Sequence, residues 1–212
     1  MARSKDSAEK EMDIKKSSND EPSFNHSLSE TNYSPSTSAR DLPGVISNDD
    51  VVDFIQTTMH LHSCKEFLRI KYPSKITIPD SDEIAWCSLC LGPELCREMY
   101  NLEQRSDQQL PAQRIPLLSI VIHLEQSKIK LLLEYLHKWF LVIGMTDHLS
   151  MWLYSVLICV KYCKKDEERD QLFKILFKDL RKYLKKCFGY RQKQRAVLFG
   201  DILKEWFLVK IK

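Results

Sequence analysis

Three of the chain's seven cysteines, Cys87, Cys90 and Cys96, fall within ten residues in the stretch "WCSLCLGPELC". Cys87-x-x-Cys90 has the spacing of half a tetrahedral zinc site, in which two thiolates from one turn join two further ligands. Candidates for the other half are Cys96 and the "HLHSC" stretch with His60, His62 and Cys64. The same residues carry a plainer reading. Cysteine is among the most often buried side chains and serves as a small apolar filler. The surrounding pattern places Cys87 and Cys90 on one turn of a helix rather than on a tight knuckle. His60 and His62, two apart on another helix, face different sides. Core filler is the expectation and zinc the rival.

Other chemistry is thinner still. His123 and His137 lie on strongly apolar stretches, with no nearby Ser, Cys or carboxylate pattern to build a catalytic constellation, and read as structural histidines. The "DEERD" cluster at 166–170 reads as a helix N-terminus biased for the macrodipole. Glycine occurs only five times and never clustered, so no phosphate-cradling loop is present, and HExxH, GxSxG and the EF-hand loop are absent. No catalytic residue and no cofactor is expected.

The elements that position these residues follow from periodicity. Residues 1–47 are rich in serine, charge and isolated prolines, and cannot bury enough apolar area to offset the entropy of ordering; they read as a disordered tail. From Asn48, Val51, Phe54, Ile55, Met59, Leu61 and His62 recur at helical spacing, and Tyr72-Pro73 ends that helix. Ser81 is available to cap a second helix running through Cys90, and Pro93 opens a third. A short helix from Pro116 and a longer one from Ser127 follow, the latter striped by Ile129, Leu132, Leu133, Leu136 and Phe140. Thr146 or Asp147 caps a helix over 147–163 that is apolar almost all round, which places it mid-bundle. Asp166 caps an amphipathic helix stopped by Gly189, and a last helix covers Gln192 to Val209. Nothing alternates with period two for long enough to make a sheet. The fold class is all-α, a helical bundle over 48–212.

Composition adds bounds. Across 212 residues the formal charge is only +3, so the whole chain is not built as a polyelectrolyte. The first twenty residues hold no apolar run, and the longest such run, 151–160, is about half of what a bilayer span needs. An odd number of cysteines without an export signal suggests reduced thiols in an intracellular protein. Charge is nonetheless concentrated locally. Lys174, Lys178, Arg181, Lys182, Lys185 and Lys186 lie on neighbouring faces of one helix, followed by Arg191, Lys193 and Arg195. This stripe would suit phosphates, although the interleaved aromatics of single-strand binders are not evident in the pattern. A solvated face or a contact for an acidic protein is the plainer reading, and a small helical RNA-binding module using 174–195 the alternative.

The middle of the chain resembles a known family. Trp86, Cys90, Leu91, Gly92, Leu95 and Cys96 fit a Trp-x-x-x-Cys-Leu-Gly-x-x-Leu-Cys pattern, and "PLLSIV" (116–121), "LLEYLHKWF" (132–140) and "WLYSVLICV" (152–160) follow in order. Together they resemble the survival-motor-neuron-interacting, or Gemin-two, proteins over roughly 48–212. The resemblance implies a scaffold in cytoplasm and nucleus with no active site and no metal, and Cys87 lies outside the family pattern. It implies two partners: an N-terminal helix of the survival-motor-neuron protein, and Sm core proteins during spliceosomal ribonucleoprotein assembly. Family members carry an N-terminal arm with its own docking helix, for which residues 1–47 show no recognisable counterpart. The partner-helix groove is expected between the helix over 49–71 and that over 147–163. His62, Lys65, Phe67 and Arg69 would come from the first, with Lys65 and Arg69 exposed to meet carboxylates. Met151, Tyr154 and Ile158 share a face of the second.

Overall fold

The computed structural model describes residues 48–102, 110–161 and 166–208. Every element among them is helical: α1 (Asn48–Lys71), α2 (Glu83–Leu91), α3 (Pro93–Tyr100), α4 (Leu118–Val121), α5 (Gln126–Ile143), α6 (Asp147–Cys159), α7 (Glu167–Lys186), α8 (Tyr190–Ile202) and a π-helical turn (Leu203–Leu208). No strand occurs among the described residues, and the fold is all-α. The chain divides into two units, Met1–Asp41 and Leu42–Lys212, and all of these helices belong to the second. The disordered tail read over residues 1–47 lies outside the described residues.

The order of burial follows the apolar pattern. α6 buries Leu149, Ser150, Trp152, Leu153, Val156, Leu157, Ile158 and Cys159, and packs against α1, α2, α4 and α5, so the helix that is apolar all round is indeed central. α5 buries its whole stripe of Ile129, Leu132, Leu133, Leu136 and Phe140. α7, α8 and the π-helical turn pack on one another, where Phe173 meets Phe207 at 4.4 Å between ring centroids. Indole N–H groups deep in the core all find oxygen: Trp86 Nε1 donates to Asp80 O at 3.1 Å, Trp139 Nε1 to Tyr100 Oη at 2.9 Å, and Trp152 Nε1 to Arg114 O at 3.0 Å. Left unpaired in so dry an interior, each would cost about 1–3 kcal/mol.

Several boundaries differ from the sequence reading, each for a visible reason. Asp82, not Ser81, caps α2, accepting from the backbone N–H groups of Ile84 and Ala85. Ser81 instead offers its carbonyl to Tyr135 Oη at 2.8 Å. Thr146 is the cap of α6, through its hydroxyl and Leu149 N. α6 ends at Cys159 rather than near 163, because Val160 is extended and Gln126 closes the end. Its amide nitrogen donates to Cys159 O at 3.0 Å, and its amide oxygen accepts from Lys161 N at 2.8 Å. The last helix begins earlier than expected, at Tyr190, and gives way to the π-helical turn. Between α5 and α6, Gly144 has φ +73, and a Cβ there would lie 2.8 Å from Tyr183 Oη. Glycine is needed both for the left-handed backbone and for that close approach.

Met59 shares the helical spacing of the apolar residues of α1, yet it is 61% exposed. The buried face is Val51, Phe54, Thr58, Leu61 and Lys65, while Val52, Met59, Phe67 and Ile70 are exposed. The helix is apolar on opposite sides, and spacing alone does not say which side packs.

Candidate partner-helix site

α1 and α6 run in the same direction and pack directly on each other. Phe54 meets Tyr154 edge-to-face at 5.5 Å, and further along His62 reaches the backbone of Ile158. Their facing surfaces are therefore occupied, and the seven residues assigned to a groove between them separate into three environments.

Lys65 and Ile158 lie within the contact itself, 8% and 7% exposed. The expectation of an exposed Lys65 is corrected: its ammonium donates to Leu124 O at 3.3 Å, a carbonyl in the turn after α4. Burial is the main cause holding its pKa below the ordinary lysine range, and the nearby cations Arg69 and Lys161 act in the same sense. Reversing its charge would place a carboxylate against a carbonyl in a dry seam, so Lys65 anchors α1 instead of meeting a partner. His62 is half-buried beside it, with Nε2 lacking a hydrogen-bond partner among the described residues. Burial pushes its imidazole below the usual range, opposed by the nearby backbone of Ile158.

Phe67 and Arg69 form the second environment, at the C-terminal end of α1. Phe67 is 62% exposed, with the Lys71 ammonium 5.8 Å from its ring centre. Among the described residues Arg69 pairs with exposed Glu66 alone, at 3.7 Å, so its guanidinium remains available to a carboxylate.

Met151 and Tyr154 form the third. They line an open depression of about 410 Å³ with Ile115, Pro116, Ser150, Ser155, Arg195, Leu198 and Phe199. Its walls are largely apolar, and exposed Ile115, Leu117 and Leu118 extend the apolar surface beyond it. Tyr154 joins this depression to α1 through Phe54. Ile115, Leu198 and Phe199 were not singled out from the sequence. Ile115 lies in "RIPLLSI", where exposed apolar residues flank a proline, and Leu198 and Phe199 lie in α8, but a pattern cannot distinguish such residues from core.

Cys87, Cys90 and Cys96 lie in the α-helical core. Cys87 and Cys90 are fully buried on α2, Cys96 Sγ donates to Ile84 O at 3.4 Å, and the six described cysteines are free. "HLHSC" lies on α1, where Cys64 Sγ donates to His60 O. Among the described residues no group of three or more His, Cys, Asp or Glu is placed to hold a metal ion. His123 Nε2 is 2.8 Å from Tyr72 O, and His137 pairs with Asp179 at 3.1 Å, so both histidines have structural partners. No described helix is long and apolar enough to cross a membrane.

These thiols set a pH dependence. Burial pushes Cys87, Cys90 and Cys96 up, and Cys159 up to about 11. Above the thiol's ordinary value of 9.0 the unfolded chain gives up these protons while the folded one keeps them. Their contribution is thus intact below pH 9 and is lost as pH rises toward 11. Lys65, with its lowered pKa, acts in the opposite sense, but as one group against four. Calorimetry under reducing conditions is expected to show a melting temperature that declines from about pH 9 upward. A flat profile to pH 11 would mean the thiols titrate as exposed groups.

Comparison with known proteins agrees with this architecture. A model of the survival motor neuron (SMN) interacting protein 1 family matches residues 3–198. That match reaches further toward the N-terminus than the motifs read above, and stops short of residue 212. A mouse (Mus musculus) protein named Gem-associated protein 2 is 36% identical over 95 residues, which cover 42% of this chain. The matched stretch spans about a third of that relative's length (35%). With a match over nearly the whole chain, and with the motif residues Trp86, Cys90, Leu91 and Cys96 all buried on α2 and α3 of a helical bundle, the chain belongs to the survival motor neuron interacting protein 1 family.

Proposed function

We propose that the chain is a non-catalytic scaffold of the survival-motor-neuron complex, which binds a helix of the survival-motor-neuron protein and Sm proteins during ribonucleoprotein assembly. The observation that carries this is the apolar depression at Met151 and Tyr154, open to solvent and continuous through Tyr154 with α1. An amphipathic helix recognises such a surface by laying anchors at i, i+3, i+4 and i+7 into it. The family's name supplies the identity of the partner. In this reading the incoming helix seats its apolar face over Met151 and Tyr154 and extends along α1 toward Phe67. From the level of Val51 to Phe67 is about 24 Å, the length of a helix of about 16 residues. Phe67 is the far aromatic anchor and Arg69 the cation that meets carboxylates. His62, Lys65 and Ile158 support the surface from beneath.

The test is a calorimetric titration of the full chain with a peptide carrying the N-terminal helix of the survival-motor-neuron protein. A 1:1 complex with a negative heat-capacity change is expected, as apolar burial requires. Absence of binding at about 100 μM peptide, a level at which even about −5 kcal/mol would register, would remove the reading.

A further inference from the structure

We infer that the exposed face of α7, with the turn that follows it, is a binding surface for single-stranded nucleic acid. Residues 171–195 hold nine lysines and arginines against one carboxylate, Asp179, so this segment carries a formal +8 and the remainder of the chain −5. Lys174, Lys178, Arg181 and Lys185 recur at steps of four, three and four, which aligns them along one side of the helix. All four are exposed. Lys174, Lys178 and Lys185 form no ion pair among the described residues, whereas Lys182 is engaged by Asp179 at 2.8 Å. A stripe that the protein's own carboxylates leave unneutralised holds condensed anions, and a polyanion gains by displacing them.

Charge alone would serve an acidic protein equally well. What distinguishes this surface is aromatic. Phe188, two residues past Lys186, is 101% exposed, and Tyr190 is half-exposed between Gly189 and Arg191. Phe177 lies under the Arg181 guanidinium, 5.8 Å from ring centre to carbon. Phe177, Lys178, Arg181, Lys182 and Lys185 line a depression of about 340 Å³. Cations that follow a backbone beside rings that accept bases are the two components of single-strand recognition. A duplex keeps its base faces stacked and offers Phe188 nothing. The surface stands independently of the docking at Met151, so either is able to fail alone.

Fluorescence anisotropy with a labelled oligouridylate of about 15 nucleotides tests this on the full chain. With about four phosphates neutralised, the logarithm of affinity should fall with the logarithm of salt at a slope near −3. Replacing Lys178, Arg181 and Lys185 together by glutamine should weaken binding at least tenfold at about 0.1 M salt and flatten the slope by about two. Phe188→Ala should weaken it about fivefold or more with the slope unchanged, because it removes a stack and no charge. All four side chains are exposed, and matching melting curves confirm intact folds. Undetectable binding overturns the inference. So does a Phe188→Ala variant that binds like the parent, or a duplex of equal length that binds as tightly. Displacement by polyglutamate as effective per charge as by oligouridylate would assign the surface to an acidic protein, and equally overturns it.

Discussion

Trp152→Ala should destabilise the folded chain by about 3–5 kcal/mol, enough to leave much of it unfolded near physiological temperature. Trp152 is wholly buried on α6, its ring edge-on to Trp86 at 6.5 Å. Its removal leaves a large void where α6 meets α2, in a core too closely packed to collapse into it. The indole also donates to Arg114 O, which fixes the segment leading into Ile115 and Pro116 and hence one wall of the apolar depression. Trp152→Phe separates the two effects. It keeps most of the packing and forfeits the hydrogen bond, at roughly 1–2 kcal/mol. Because the wall then loosens, peptide affinity should fall as well. Urea unfolding followed by far-UV circular dichroism gives both stabilities. A loss under about 1 kcal/mol for the alanine variant would mean that α6 is not at the centre of the bundle.

Met151→Asp should lower affinity for the survival-motor-neuron helix at least about thirtyfold, near 2 kcal/mol, while leaving the melting temperature within a few degrees. Met151 is on the open side of α6, where its thioether reaches solvent and a carboxylate remains hydrated in the free protein. Once a helix closes over the depression, that carboxylate is desolvated among Ile115, Leu198 and Phe199. A buried charge without a partner is costly. Val142→Asp is the matched control. It introduces the same charge at an exposed position on α5 that neither lines the depression nor lies along α1, and should change affinity by less than about threefold. Equal losses at both positions, or a loss at Val142 alone, would contradict the site.

The sequence makes the architecture legible to the extent that one apolar face per helix settles it. α5 shows a single stripe, Ile129 through Phe140, and that stripe is the core. α6 is apolar all round and is central. α1 defeats the same logic, since Val51 and Val52 are equally apolar neighbours of which only one is buried. Lys65 was legible as a cation but not as a buried one, because its long stem reaches Leu124 O, 59 residues away. The site was half visible. Met151 and Tyr154 share a face by spacing, whereas the walls they meet come from α8 and from the segment before α4, which no local pattern connects. The basic stripe was evident, and the exposure of Phe188 beside it was not, since a lone phenylalanine before a glycine reads as core.

The most direct test of the central claim is amide hydrogen exchange on the full chain with and without saturating survival-motor-neuron helix. Added protection is expected in α6 around Met151–Ser155, in the 114–118 segment and along α1 toward Phe67, with little change in α7. Protection confined to α7 and α8, or none at 114–118 and α6 despite saturation, would contradict it.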